Sequence, residues 1–508
     1  MNTPGAKSAS LTARTFWLIF AKMFSFAFGI ALPLLLVRRL SQAQFGLYKQ
    51  AFLIVGTAAS ILPLGFSMSA YYFLPRENEN KGAIVLNILL FNLVVGSVAF
   101  LTLLLKPGLI ETIFNSPELV PYAPLIGLLI LLWVLSNFLE ISTLANQEVS
   151  LSTIFIIGAQ VTKTILLFSA AIGFPTVRAL LCAAMIQGAL QIIVLSVYLR
   201  TRFGNFWRKF DWQAMKHQLS YALPIGSAAL MYVVLTDMHN YFVSYRYGAE
   251  IFAIYAVGCF SLPFVGIIGE SVGPILIPNV SRLQQEGKTR EIVLLTASAM
   301  RKLSVIYFAL YALLLVVGPE LIAFLFTEQY LGSWQIFAIN LSLLPFLILI
   351  PDPILRAHAE HRYFLLKVRA VSIPLLFVGL WFGTEYFGLV GAISVMAFVS
   401  IADLSIATLK AWRIVNVSWR DVVLIKDVGK VAVAALAAGS LTSVVRVFAM
   451  GQRPFIVLAV CGIVFGVSYV AFVWLLRIPS AEEREAVRNK LSSAHRLIDG
   501  KGALEPSA

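Results

Sequence analysis

Charge is what this sequence has least of. Asp, Glu, Lys and Arg make up 13% of its 508 residues, against the quarter or so typical of a soluble globular protein, while 59% are apolar and the mean hydropathy is +0.86. A chain this poor in charge has a bilayer as its solvent. Acid is the scarcer sign, 25 residues against 39 basic ones, for a formal charge of +14. That excess does not indicate nucleic acid as a partner, because the basic residues sit in short loops between apolar runs, where they set membrane orientation. Cysteine is nearly absent. Cys182, Cys259 and Cys461 fall singly in three different apolar runs, which excludes a disulfide framework and a thiolate metal site. A phosphate-cradling glycine loop, paired histidines at metal spacing and a nucleophile elbow are also missing. The sequence therefore reads as a non-enzyme with no bound cofactor.

Long apolar runs are what the sequence has in quantity. A hydrocarbon core of roughly 30 Å needs about 20 helical residues, and fourteen runs suffice. They are 15–37, 50–72, 83–105, 122–142, 153–172 and 179–199, then 220–241, 251–277, 303–319, 334–355, 367–385 and 388–410, and finally 429–449 and 455–477. The turns at 173–178 and 387–388 are short enough for tight hairpins. Because lipid satisfies no backbone group, the expected fold is an all-α polytopic membrane protein of about fourteen transmembrane helices. The first run continues past Val37 without a small-residue cleavage site, so it reads as a retained span.

With the N-terminus inside, 29 of the 39 basic residues fall on the inner loops, tails and flanks and 8 on the outer ones. Both termini are thus expected in the cytoplasm. Arg38 and Arg39 dissent, on the first outer turn.

The pattern repeats. Phe45-Gly46-Leu47-Tyr48 matches Phe252-Ala253-Ile254-Tyr255 at an offset of 207, Pro107 to Phe114 matches Pro319 to Phe326 at 212, and Glu148 meets Glu360 at 212. These matches point to two six-span repeats. Six being even, the repeats are parallel. The expected organisation is a first lobe over 1–199, a basic interfacial linker helix over 200–219, a second lobe over 220–410, two additional spans in 411–477 and a tail over 478–508, with a central cavity between the lobes.

Ionisable residues inside apolar runs are expensive and are functional candidates. Lys163 sits near the middle of the fifth span, and either lines a cavity or pairs for assembly. Lys22, in the first span, either joins it or snorkels to the inner surface. Two cations on one cavity suit an anionic substrate, a pyrophosphate above all. Asp237 and His239, in the outer third of the seventh span, point to different faces. Asp237 reads as a translocation residue, by ion pairing to a lysine or by protonation, or else as a structural pair at a helix end. His239 is a further candidate for the translocation cavity, though it reads more simply as a packed aromatic with a wet edge. Glu270 and Asp403 are secondary ion-binding or gating candidates. Asn87, Asn92, Asn137 and Asn340 read as interhelical hydrogen-bond donors.

Several stretches together carry a resemblance: LSQAQFGLYKQAF, LPLGFSMSAYYFLPRE, YALPIG, TDMHNYFVSYRYGAEIFAIYAVG, ILIPNVSRLQQEGKTRE and PELIAFLFTEQYLGSW. From residue 12 to about 480 the chain resembles the polysaccharide transporters, the Wzx-type flippases of the multidrug/oligosaccharidyl-lipid/polysaccharide exporter superfamily. The resemblance implies two rocking lobes in a bacterial inner membrane, moving a polyprenyl-pyrophosphate oligosaccharide for O-antigen, capsule or exopolysaccharide assembly. It also implies membrane lipids, a polysaccharide polymerase and chain-length proteins as partners, and leaves coupling to H+ or Na+ open. Asp237 matches an acidic residue of the family, whereas the Arg that usually follows is replaced by Met238 and His239. Alternatives are a small-molecule cation antiporter of the same superfamily, or a membrane polymerase or glycosyltransferase. The last would want a large outer loop that Lys106 to Pro121 does not provide.

Overall fold

The computed structural model describes Gly29 and residues 31–77, 80–260, 262–361 and 363–479. Lys22 and the tail beyond residue 479 lie outside them. Every regular element described is helical. Among the described residues, ten helices are long and apolar enough to cross a membrane, eleven if the bent pair Gln42–Ile61 and Phe66–Phe73 is counted as one span. The protein is a multi-pass, all-α membrane protein. The principal helices are α1 (31–39), α2 (Gln42–Ile61), α3 (Lys81–Leu105), α4 (Pro117–Ala145, broken at Asn137), α5 (Val149–Gly173), α6 (Val177–Phe203) and α7 (Trp212–Gly258). They continue with α8 (Pro263–Gln285), α9 (Thr289–Phe326), α10 (Glu328–Ile348), α11 (Phe364–Ile414), α12 (Lys426–Ala449) and α13 (Pro454–Leu475).

Two of these are hairpins. At about 1.5 Å per residue, the 47 residues of α7 and 51 of α11 would far overshoot a bilayer if straight. Each folds back at one glycine with positive φ, Gly248 (75°) and Gly388 (60°), a conformation that costs other residues a Cβ clash. Across the first turn His239 Nδ1 lies 2.7 Å from the Tyr255 hydroxyl, sixteen residues away. Across the second, the backbones of Gly383 and Gly391 touch. The hairpin expected at 387–388 is therefore present. The basic stretch 200–219, in contrast, is not one helix. Gly204 ends α6, Phe206–Arg208 makes a single tight turn, and Asp211 caps α7 by accepting from the Gln213 and Ala214 amides.

Contacts divide the chain into two units. The first comprises everything before Leu283, with Ile322–Leu343 and Pro351–Ala411. Its spine is an antiparallel seam between α2 and α7. Gly46 lies against the Ala249 carbonyl, Gln50 Nε2 donates to Ser244 Oγ at 2.7 Å, Thr57 Oγ1 donates to Asp237 Oδ2 at 3.0 Å, and Gly226 lies against Leu64 and Gly65. Residue pairs advance by opposite steps along nearly the full length of α2. Glycines at the two ends let the backbones close in, as small residues do where lipid-soluble helices pack. Near the other end of α7, buried Gln218 ties α3 down through Asn87 at 3.1 Å and the Ile84 carbonyl at 3.3 Å. Arg38, the dissenting outer cation, donates to the carbonyls of Phe324 (2.7 Å) and Leu325 (2.8 Å). It caps the C-terminal end of α9, where orphan carbonyls favour a cation.

The second unit comprises Leu283–Leu321, Leu344–Ile350 and everything from Trp412. Here the final pair, α12 and α13, packs on α9 through small residues: Ala434, Ala435 and Ala438 are buried, and Gly439 faces Ala312. Arg446 Nε donates to Glu320 Oε1 at 2.9 Å, and the Tyr469 hydroxyl donates to the Val305 carbonyl at 2.8 Å. Ahead of α12, Asp421 accepts from the Ser418 amide at 2.8 Å and from the Arg290 guanidinium.

Those donors, Arg290 first and the Ser418 amide next, hold the Asp421 carboxyl below its ordinary value of 3.8. A carboxyl depressed on folding stabilises above its unfolded pKa and loses that contribution as pH falls through the folded one. The wild type should therefore lose stability below about pH 4 by a step that Asp421→Asn lacks. Thermal unfolding in detergent between pH 7 and pH 3 measures this, and Asp421→Asn should already be less stable at pH 7.

Candidate functional site

Four helical segments present polar residues to one space, each at helical spacing. On α4 they are Trp133, Ser136, Asn137 and Glu140, on α5 Gln160 and Lys163, on α6 Gln187 and Gln191, and on the short helix after α2 Tyr71, with Met68 one turn before it. The separations of three, four and seven residues place each set on one helix face. Together they wall a cavity of about 450 Å³, within the usual size range of small-molecule sites.

Lys163 is its cation. The amine lies 4.8 Å from the centroid of the Trp133 ring, an interaction of about 2 kcal/mol once desolvated. Among the described residues no carboxylate comes within ion-pair distance of it. Lys163 also borders a smaller cavity of about 120 Å³ lined by Leu32 and Pro33 of α1, Tyr48 and Phe52 of α2, and Gln160. It thus stands between two spaces, one reaching α1. Where the large cavity meets the outside of the unit, an apolar crevice of about 240 Å³ runs between α5 and α6. Gly158, Thr162 and exposed Leu190 and Ile154 are among its lining, and it shares Leu139, Phe155, Ala159, Gln187 and Gln191 with the cavity.

The other sequence candidates are not gathered here. The Asp237 carboxylate faces α2 and takes its hydrogen bond from Thr57, at the rim of an apolar pocket of about 320 Å³ with Ile113, Val233 and Tyr241. Among the described residues, no lysine pairs with it. His239 is 4% exposed, its Nδ1 on the Tyr255 hydroxyl and its ring edge-on to the Tyr255 ring. It borders neither the Lys163 cavity nor the Asp237 pocket. Asp403, on α11, lies in the field of Arg369 of the same hairpin, whose guanidinium covers the Tyr232 ring at 5.1 Å. Asp403 Oδ1 and Arg369 Nε are both buried without a hydrogen-bond partner. Glu270 is on α8, but its side chain lies outside what the structure describes. Among the described residues, no three His, Cys, Asp or Glu side chains gather to hold a metal ion.

Sequence reasoning missed Trp133, Gln160, Gln187, Gln191 and Glu140, and gave Asn137 to helix packing. The signal was present as spacing: polar residues at i, i+3, i+4 and i+7 on α4, i and i+3 on α5, and i and i+4 on α6. A buried amine without a partner anion destabilises its surroundings. Lys163→Met, which keeps the stem and removes the charge, should leave the thermal midpoint unchanged or raise it. A clear fall would show that Lys163 serves assembly instead.

With the geometry established, comparison with known proteins places the chain. No curated protein matches it in sequence. In fold it is similar to the lipid II flippase MurJ in an inward closed conformation, with a TM-score of 0.69 over 91% of this chain and 98% of that one at 14% identity. It is also similar to an inward-facing multidrug resistance MATE family transporter of the MOP superfamily, with a TM-score of 0.60, 15% identity and coverage of 81% and 99%. A MOP superfamily transporter from Pyrococcus furiosus gives 0.56 at 15% identity, with coverage of 80% and 97%. At such identities the likeness speaks to fold, which is that of MOP superfamily flippases and transporters. The family model described as polysaccharide biosynthesis protein matches residues 35–335, more than half of the chain, and the chain belongs to that family.

Proposed function

We propose that the protein is a flippase of the bacterial cytoplasmic membrane. It moves polyprenyl-pyrophosphate-linked oligosaccharide repeat units outward for surface polysaccharide assembly. The observation that carries this reading is Lys163, an amine in a membrane-spanning helix that lines a cavity and, among the described residues, has no carboxylate within ion-pair distance. A substrate bearing a pyrophosphate supplies the missing anion, and a flexible lysine can follow it as it moves. Family membership supplies the saccharide, and the fold supplies a scaffold shared with transporters. The apolar crevice beside the cavity gives a lipid chain somewhere to lie while the head is in polar surroundings.

In this mechanism the two six-span repeats rock against each other and the α2–α7 seam parts, breaking the Gln50–Ser244 and Thr57–Asp237 hydrogen bonds in each cycle. Two neutral or singly charged hydrogen bonds and glycine-level packing make a seam that separates more easily than a ring of buried ion pairs. Asp237, freed from Thr57, and Asp403 beside Arg369 are the groups on which H+ or Na+ coupling would act. Lys22 joins Lys163 in meeting the pyrophosphate, and Glu270 and Asp403 contribute to gating. The polymerase and chain-length proteins act on the delivered unit.

A strain carrying Lys22→Ala and Lys163→Ala together should insert the protein normally yet leave the completed lipid-linked oligosaccharide on the inner leaflet. Surface glycan should fall at least tenfold. Normal delivery of that glycan by the double variant, or by a strain lacking the protein, would contradict the reading. Binding of organic cations in preference to the anionic lipid would favour a cation antiporter instead.

A further inference from the structure

The turn between α6 and α7 carries charge that the described residues leave largely unmatched. Over residues 200–217 stand five cations, Arg200, Arg202, Arg208, Lys209 and Lys216, and one carboxylate, Asp211. That carboxylate is committed to the start of α7, where its Oδ1 accepts from the Gln213 amide at 2.8 Å and the Ala214 amide at 3.0 Å. Arg202 pairs with Glu148 at 2.9 Å. The other four cations have no carboxylate within ion-pair distance among the described residues.

The apolar side chains of the same turn divide into two sets. Phe203, Phe206, Met215 and Leu219 pack against a buried cluster that includes Ile84, Ile88, Tyr198 and Leu199, and Phe206 Cα and Lys209 Cδ close over Gly82 at the start of α3. Those contacts fix the turn to the body of the protein. Trp207, Phe210 and Trp212 stay 45%, 53% and 58% exposed. Both tryptophans hold a cation: the Arg200 guanidinium lies 5.8 Å from the Trp207 centroid and the Lys216 amine 5.6 Å from that of Trp212. A ring face attracts the charge through its quadrupole and leaves most of the N–H donors free for an oxyanion.

Position decides what such a patch meets. Both α6, which ends at Phe203, and α7, which begins at Trp212, are long and apolar enough to span, so the turn between them lies at the membrane surface. Three exposed rings are costly in bulk water, and four cations are costly in hydrocarbon. The headgroup layer accommodates both, with rings at the acyl boundary and cations among phosphates. A zwitterionic headgroup brings its own amine, whereas an anionic one supplies net charge opposite to the patch.

We infer that the α6–α7 turn is a docking surface for anionic phospholipid headgroups of the leaflet it faces. Arg200, Arg208, Lys209 and Lys216 meet the phosphates, and Trp207, Phe210 and Trp212 seat beside the glycerol and the upper acyl carbons. Since the turn joins α6 to α7 and lies on α3, bound headgroups brace three helices at once. The surface shares no residue with the lining of the Lys163 cavity, so it stands or falls apart from the flippase reading.

The test places the full chain in phosphatidylcholine nanodiscs holding a fixed minor fraction of dibrominated lipid, either phosphatidylglycerol or phosphatidylcholine, and reads quenching of tryptophan fluorescence. Brominated phosphatidylglycerol should quench at least twice as strongly, and molar salt, which cuts the screening length to about 3 Å, should erase most of that excess. Each basic residue at an anionic surface contributes about fivefold in affinity. Arg200→Gln, Arg208→Gln and Lys216→Gln together should therefore remove at least half of the excess, with Lys209 spared because its stem packs on Gly82. The three residues are exposed, so this variant should keep the wild-type thermal midpoint in phosphatidylcholine alone. Trp207→Phe with Trp212→Phe should also lose at least half of the excess, since those rings report the site. Inorganic phosphate should leave the excess where chloride of equal ionic strength leaves it. Equal quenching by the two brominated lipids in the wild type would overturn the inference and leave the patch to a soluble acidic partner. An undiminished excess in the triple variant would place the enriched lipid elsewhere on the protein, and loss of the excess to phosphate alone would mean a discrete phosphate pocket; either result would overturn it as well.

Discussion

A polar group in hydrocarbon must find its partner within the protein, and that constraint organises everything described above. It makes the regular structure among the described residues helical, because a helix satisfies its own amides and carbonyls. It places Arg38 on the carbonyls at the end of α9 and Arg446 on Glu320. It also gives meaning to the exceptions. Lys163, with the Trp133 ring against it and no carboxylate within ion-pair distance among the described residues, borders a cavity.

The same constraint explains why the α2–α7 seam can be both long and separable. Glycine at Gly46 and Gly226 brings the backbones together, so the contact is made of dispersion and two side-chain hydrogen bonds, with no ion pair along it. The polar cavity, by contrast, is walled among the described residues by α4, α5, α6 and the short helix after α2. A site carried on one side of a seam can keep hold of its ligand while the seam opens, as the proposed flippase cycle requires.

Much of the fold was legible because bilayer thickness imposes a length, and length is read directly from apolar runs. The Phe387–Gly388 turn showed itself in the same way. The linker over 200–219 was misread as one helix, since its basic and aromatic pattern suits an interfacial helix and nothing in that pattern reveals that Gly204 stops α6 and Asp211 starts α7. Arg38 looked like an exception to the charge rule because its reason is a helix end almost three hundred residues away.

For the site, charge was the legible part and partnership was not. Lys163 stood out in the sequence because a lysine at mid-span is costly, and the structure places it on a cavity. Asn137 looks no different in sequence from Asn87, yet one faces a cavity while the other binds Gln218. Asp237 and His239, two residues apart, went to Thr57 and Tyr255 rather than to a lysine.

The central claim is that Lys163 and its cavity carry a lipid-linked saccharide across the membrane. The most direct measurement reconstitutes the purified protein in liposomes holding a fluorescent polyprenyl-pyrophosphate oligosaccharide and follows its accessibility to an impermeant quencher. The account predicts protein-dependent exchange between leaflets that Lys163→Met slows at least tenfold while the protein remains folded. Exchange at the same rate in liposomes with Lys163→Met, or in liposomes without protein, would contradict it.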